Sequence, residues 1–125
     1  MGLAKAPRPL VLVVEDDEDQ RALLTALFEE SDMQVIECES AEAALAILDH
    51  CREEPTLLFT DVKLAGTMDG LALALRTKAL FPNVTIIVTS GNMSPRQLPA
   101  GAMFMQKPWL ALDILREAEK SLRPH

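Results

Sequence analysis

Three carboxylates in a row, Glu15-Asp16-Asp17, follow the apolar run Leu10-Val-Leu-Val-Val14, and a fourth, Asp61, follows the run Leu57-Leu58-Phe59-Thr60. If the two runs are neighbouring strands, these carboxylates crowd at one mouth of a sheet, where they repel one another unless a cation joins them. Oxygen ligands favour a hard ion such as Mg²⁺. Two further strand ends carry compatible groups: Thr89, with a hydroxyl suited to a phosphate oxygen, and Lys107, with a compact positive charge. Each has an ordinary alternative. An acidic triplet by itself reads as a solvated helix start, where carboxylates are favoured anyway. A lone Thr89 reads as a strand-end hydroxyl and a lone Lys107 as a solvent charge. The combination is harder to dismiss, although the second strand contributes nothing identifiable.

Holding these groups together requires an alternation of strands and helices, which the chain shows. Leu10–Val14 is short and β-branched, as suits a strand buried on both faces. From Asp19 the period becomes helical, with Leu23, Leu24, Leu27 and Phe28 on one side and Arg21, Glu29 and Glu30 on the other. Val35–Cys38 reads as the second strand. Ser40 is the expected N-cap of a helix using Ala44, Leu45, Ile47 and Leu48, barred by Pro55 from passing Glu54. Leu57–Thr60 is the third strand, followed by a loop with Gly66 and Gly70 and a helix over Leu71–Leu80. Val84–Val88 and the weaker Ala102–Met105 are the fourth and fifth strands. A last helix over Leu110–Leu122 is expected to turn Leu112, Leu115 and Leu122 inward. Strands alternating with helices imply right-handed crossovers and a parallel sheet covered on both faces, the α/β class. Binding sites in such sheets lie beyond the carboxyl ends of the strands, where the acidic residues fall.

Composition fits this architecture and narrows the partners. The 125 residues are 49% hydrophobic and suffice for one domain with a core that needs no disulfide or structural metal. Twelve Lys and Arg against 19 Asp and Glu give a net charge of −7. That argues against nucleic acid or an anionic membrane as the main partner and suits a cationic ligand or metal. Cys38 and Cys51 have no zinc-ligand spacing and are expected as packed thiols in a reducing compartment. His50 and His125 are expected on the solvated surface. Met1–Pro9 lacks the apolar segment of a signal peptide and no apolar run approaches 18 residues, so a cytoplasmic protein is expected.

Taken in order, Val11–Asp17, Thr60-Asp61-Val62-Lys63-Leu64 with Met68-Asp69-Gly70, Thr89-Ser90-Gly91 and Lys107-Pro108-Trp109 resemble the receiver domain of bacterial two-component response regulators. The likeness spans about residues 9 to 122, leaving tails at 1–8 and 123–125. It implies a flavodoxin-like, five-stranded parallel sheet of order 2-1-3-4-5, an order for which the chemotaxis receiver is a standard example. It further implies Asp61 as phosphoacceptor, Glu15 and Asp16 as the metal-holding pair with Asp17 as their outer neighbour, and the Lys63 backbone carbonyl as a further Mg²⁺ ligand. Thr89 and Lys107 would contact the phosphoryl group, Pro108 would be cis and aim the lysine, and Phe104 with Thr89 would form the switch. Phe104 reads equally as a packed strand residue. Lys63 and Gly91 occupy the positions that in the family govern water access to the phosphoryl group, and here they suggest a long-lived acyl phosphate.

The resemblance implies phosphoryl transfer from a sensor histidine kinase or a phosphotransfer protein, output through a protein partner and slow self-hydrolysis. The chain is then either a stand-alone regulator or a receiver excised from a hybrid kinase or larger protein. A Mg²⁺-dependent aspartyl-phosphate phosphatase is the alternative, but that group usually has a second Asp where Lys63 stands. A pseudo-receiver is opposed by the intact Asp61, Thr89 and Lys107. Only 12 residues, Ser90–Gly101, join the last two strands, and with Pro95 and Pro99 among them the helix there is expected to be short or missing.

Overall fold

The computed structural model describes residues 8–91 and 98–123. Five strands, β1 (Leu10–Val14), β2 (Gln34–Cys38), β3 (Leu57–Asp61), β4 (Thr85–Ser90) and β5 (Met103–Gln106), pair in parallel in the order β2-β1-β3-β4-β5. Among the described residues four helices accompany them: α1 (Glu18–Glu30), α2 (Ala41–Asp49), α3 (Gly70–Leu80) and α4 (Ala111–Ser121). The expected shortening of the helix between β4 and β5 falls on residues 92–97, which lie outside the described residues, and so do the tails apart from Arg8 and Arg123.

β1 shows how the sheet is double-faced. All five of its residues are buried, and they alternate between two cores. Leu10, Leu12 and Val14 join Leu58, Ile86 and Val88 of the neighbouring strands with Ala44 and Leu48 of α2 and Leu73 of α3. Val11 and Val13 join Leu57, Phe59 and Ile87 with Leu24 and Phe28 of α1 and Ile114 of α4. Phe28 meets Phe59 edge-on, with ring centroids 5.8 Å apart.

Three helices start with a side chain that accepts the N–H three residues ahead, filling one of the donors a helix start leaves open. Asp17 accepts from Gln20 at 2.9 Å, Ser40 from Ala43 at 3.1 Å and Asp69 from Ala72 at 2.9 Å. Asp17 and Ser40 sit just past strand ends, so the chain turns into a helix at the edge where the site lies.

Several helix faces differ from expectation. Leu23 is 51% exposed, while Leu24, Leu27 and Phe28 carry the α1 contact. Leu112 is 55% exposed and Leu122 is also exposed, because α4 turns Ile114, Ala118 and Ser121 inward, and Leu112 lies two residues, roughly 200° around the helix, from Ile114. Leu115 is partly buried as expected. Arg21, expected among the solvent-facing residues, folds back onto the sheet edge: its Nη1 donates to the Glu15 carbonyl at 2.7 Å and its Nε lies 3.4 Å from Glu37. His50 is exposed, Cys38 is buried and Cys51 is half-buried; both thiols are free. Among the described residues no helix is long and apolar enough to cross a membrane.

Candidate functional site at the carboxyl edge of the sheet

The pairing of β1, β3, β4 and β5 brings the chemistry-bearing residues to one edge. Asp61 ends β3 and pairs in register with Thr89 of β4, which in turn pairs with Met105, two residues before Lys107. Glu15 follows β1 directly, and its N–H donates to the Cys38 carbonyl at 3.1 Å. The N–H of Val62 donates to Thr89 O, and that of Lys107 to Ser90 O, both at 2.9 Å, so the pairing runs past the strand ends and fixes the backbone around the site.

Lys107 joins the acids. Its Nζ donates to Asp61 Oδ2 at 2.9 Å and to Glu15 Oε1 at 3.2 Å. One carboxylate oxygen from each of Glu15, Asp16 and Asp61 lies within 4.8 Å of the others. Three carboxylates against one ammonium leave a formal charge of −2, which suits a divalent cation. Glu15 is only 2% exposed and Asp61 9%, whereas Asp16 is exposed at the rim.

Burial pushes the Glu15 carboxyl from its usual 4.5 up to about 7; Lys107 pulls against this, while the charge of Asp61 and the contact with Asp16 add to it. Burial also works against the charge of Lys107, but its hydrogen bonds and charge contacts with Asp61, then Glu15, outweigh that and hold the ammonium above its ordinary value.

Two buried oxygens here lack a hydrogen-bond partner among the described residues, Glu15 Oε2 and Thr89 Oγ1, and Thr89 is 1% exposed. Orphaned polar atoms are costly in a folded protein and point to groups the site is built to receive. The acidic oxygens and the free Glu15 oxygen fit a hard cation, and the unpaired hydroxyl of Thr89, in register with Asp61, fits an anionic oxygen.

The structure therefore brings Glu15, Asp16, Asp61, Thr89 and Lys107 together. Asp17 is turned away to cap α1. Lys63 is exposed on the loop after Asp61. Phe104 is half-buried on β5, opposite Val88. The Lys107-Pro108 peptide is cis. Trp109 anchors the next turn by meeting Phe59 edge-on at 6.3 Å.

Three residues support the site in ways the sequence does not show. Arg21 holds the Glu15 peptide. A Cβ on Gly70 would lie 1.8 Å from the Asp61 carbonyl oxygen, so only glycine lets α3 begin that close to the site. Glu42 hydrogen-bonds the loop after Asp61 from 25 and 26 residues away. Only Gly70 left a sequence signal, as a glycine opening a helix.

The profile of the family described as response regulator receiver domain matches residues 11–118. The response regulator receiver protein CpdR of Brucella abortus (strain 2308) is 30% identical over 118 residues, which cover 90% of this chain and 95% of that protein. Sporulation initiation phosphotransferase F of Bacillus subtilis (strain 168) is 29% identical, covering 91% of this chain and 93% of that one. A solved CheY-like response regulator receiver domain protein from Methanospirillum hungatei JF-1 superposes with a TM-score of 0.81 at 26% identity, covering 92% of this chain and 94% of the other. Order of strands, match along the sequence and likeness to whole receiver proteins agree: the chain belongs to the response regulator receiver domains of two-component signalling systems.

Proposed function

We propose that this receiver accepts a phosphoryl group on Asp61. The observation that carries the reading is the contact of Lys107 Nζ with Asp61 Oδ2 at 2.9 Å, with Thr89, whose buried hydroxyl has no partner among the described residues, in register with Asp61 on the next strand. An Asp61 carboxylate oxygen attacks phosphorus, the bond from phosphorus to the donor's nitrogen or oxygen breaks, and the donor leaves with the electron pair, so an acyl phosphate forms. Lys107 then exchanges its contact with Asp61 for a phosphoryl oxygen, and Thr89 donates its hydroxyl to another.

Glu15, Asp16, Asp61 and the backbone carbonyl of Lys63 would hold Mg²⁺. When bound, that ion offsets charge on the transferring group and helps orient it. Glu15 is kept near the site by Lys107 and, through its peptide, by Arg21. Movement of Thr89 toward the phosphoryl group is passed to Phe104, whose strand pairs with that of Thr89. The functional unit is residues 9–122, the compartment the cytoplasm, and the phosphodonor a sensor histidine kinase or a phosphotransfer protein. Output passes to a protein partner, and the acyl phosphate hydrolyses slowly without further enzyme.

The test is incubation of the chain with acetyl phosphate, with and without Mg²⁺, followed by intact-mass measurement. Gain of one phosphoryl group that depends on Mg²⁺ is expected. No gain contradicts the reading, and catalytic turnover of a generic phosphomonoester favours a phosphatase instead.

A further inference from the structure

We propose that Glu42, in the first turn of α2, is a positioning residue that clamps the loop after Asp61 and so presets the backbone carbonyl of Lys63 toward the acidic cluster. The proposal rests on the reading above that this carbonyl belongs to the magnesium shell.

The loop leaves β3 at Val62 and re-enters structure at Gly70. Its two ends are tied to each other and to the sheet: Gly70 N–H donates to Val62 O at 2.8 Å, and Val62 N–H donates to Thr89 O at 2.9 Å. Its far side is tied to another part of the chain. Ala65 forms an isolated parallel bridge with Ser40, the N-cap of α2. Two residues on, a single oxygen, Glu42 Oε2, accepts the Thr67 N–H at 3.0 Å, the Thr67 hydroxyl at 2.9 Å and the Met68 N–H at 3.2 Å. Lys63 and Leu64 are thus suspended between a fixed Val62 and a fixed Ala65, and where that second anchor sits depends on α2.

Gly66 is shaped to this arrangement. Its φ is +100°, and a Cβ there would lie 2.7 Å from Glu42 Oε1, so any side chain would push the carboxylate off the loop. Glu42 itself is exposed and belongs to neither core. Its contacts therefore serve the loop rather than the packing of α2. Its own backbone N–H, then the Thr67 and Met68 donors, hold the carboxyl below its ordinary value, so it is a charged acceptor at neutral pH. A backbone carbonyl contributes to ion binding only if it is already in place, which is why groups behind the direct ligands affect affinity.

The experiment is calorimetric titration of the full chain with MgCl₂ at fixed ionic strength, with amide exchange measured on the same samples. Glu42→Ala should weaken Mg²⁺ binding about tenfold, the lower end for loss of an outer partner of a metal ligand. It should also speed exchange at Thr67 and Met68. Glu42→Gln keeps an acceptor without the charge and should stay within about threefold of the native protein, since a neutral acceptor makes weaker bonds. Thr67→Val, which removes one donor and leaves α2 untouched, should cost about twofold and keeps the test open if Glu42→Ala fails to fold. Asp16→Asn, which removes a direct ligand, is the positive control for lost binding.

Glu42→Ala binding Mg²⁺ as well as the native protein overturns the positioning role alone. So does an equal loss in Glu42→Gln and Glu42→Ala, which would mean that only the charge of Glu42 matters. A native chain that binds no Mg²⁺, like the Asp16→Asn control, overturns the metal reading and this proposal together.

Discussion

Replacing Glu15 by glutamine should stabilise the magnesium-free protein at alkaline pH and change it little at acid pH. Glu15 is 2% exposed, and burial pushes its carboxyl from 4.5 up to about 7. A carboxyl whose value is raised by folding binds its proton more tightly in the native state. The stability it contributes is thus full below pH 4.5 and lost as pH rises toward 7. The shift corresponds to at most about 3 kcal/mol withheld from the native state at pH 8, and under about 1 kcal/mol at pH 5. Glutamine has no charge to desolvate, offers Lys107 an oxygen in the same place, and leaves Lys107 paired with Asp61 at 2.9 Å. At roughly 4 °C per kcal/mol for a domain of this size, thermal melts in EDTA should rise by about 10 °C at pH 8 and by a few degrees at pH 5. A variant with no gain at pH 8, or the same gain at both pH values, would refute the assignment of a buried, destabilising carboxylate to Glu15.

Other consequences are open to simple measurement. If Glu15 helps hold Mg²⁺ as proposed, it must be ionised to do so, and binding at pH 6.5 should release protons, so the calorimetric heat should depend on the ionisation enthalpy of the buffer; identical heats across buffers would contradict this. Gly70→Ala places a methyl 1.8 Å from the Asp61 carbonyl and should cost about 3 kcal/mol or more in urea denaturation, since the obstructing atom is backbone; a loss below about 1 kcal/mol would contradict that contact. Lys63 is exposed beside the site, and Lys63→Ala should shorten the lifetime of the phosphorylated form; an unchanged hydrolysis rate removes lysine from the account of a long-lived acyl phosphate.

Local pattern made the strands and their chemistry readable. β1 has the expected limits because an apolar, β-branched run ends abruptly at carboxylates, and Ser40 caps α2 as its position suggests. Asp61, Thr89 and Lys107 could be picked out because parallel strands bring their carboxyl ends together whatever loops intervene. Helix faces were less legible where more than one stripe was apolar. In α4, Leu112 and Leu115 suggest an inward face, but the close approach uses Ile114, Ala118 and Ser121, two of them small. Leu23 was similarly ambiguous beside Leu24. Arg21 and Glu42 were invisible as site neighbours because each acts through a backbone group elsewhere: Arg21 on the Glu15 carbonyl and Glu42 on the N–H groups of Thr67 and Met68. Backbone groups carry no residue-type signature, so no spacing rule finds such contacts.

The central claim is that the carboxylate held by Lys107 at the end of β3 is the phosphoacceptor. Intact-mass measurement of the native protein and of Asp61→Asn, side by side in acetyl phosphate and Mg²⁺, tests it directly. The account predicts one added phosphoryl group on the native protein and none on the variant, with the variant's melting curve showing it folded. A folded Asp61→Asn protein that gains the group to the native extent would contradict it.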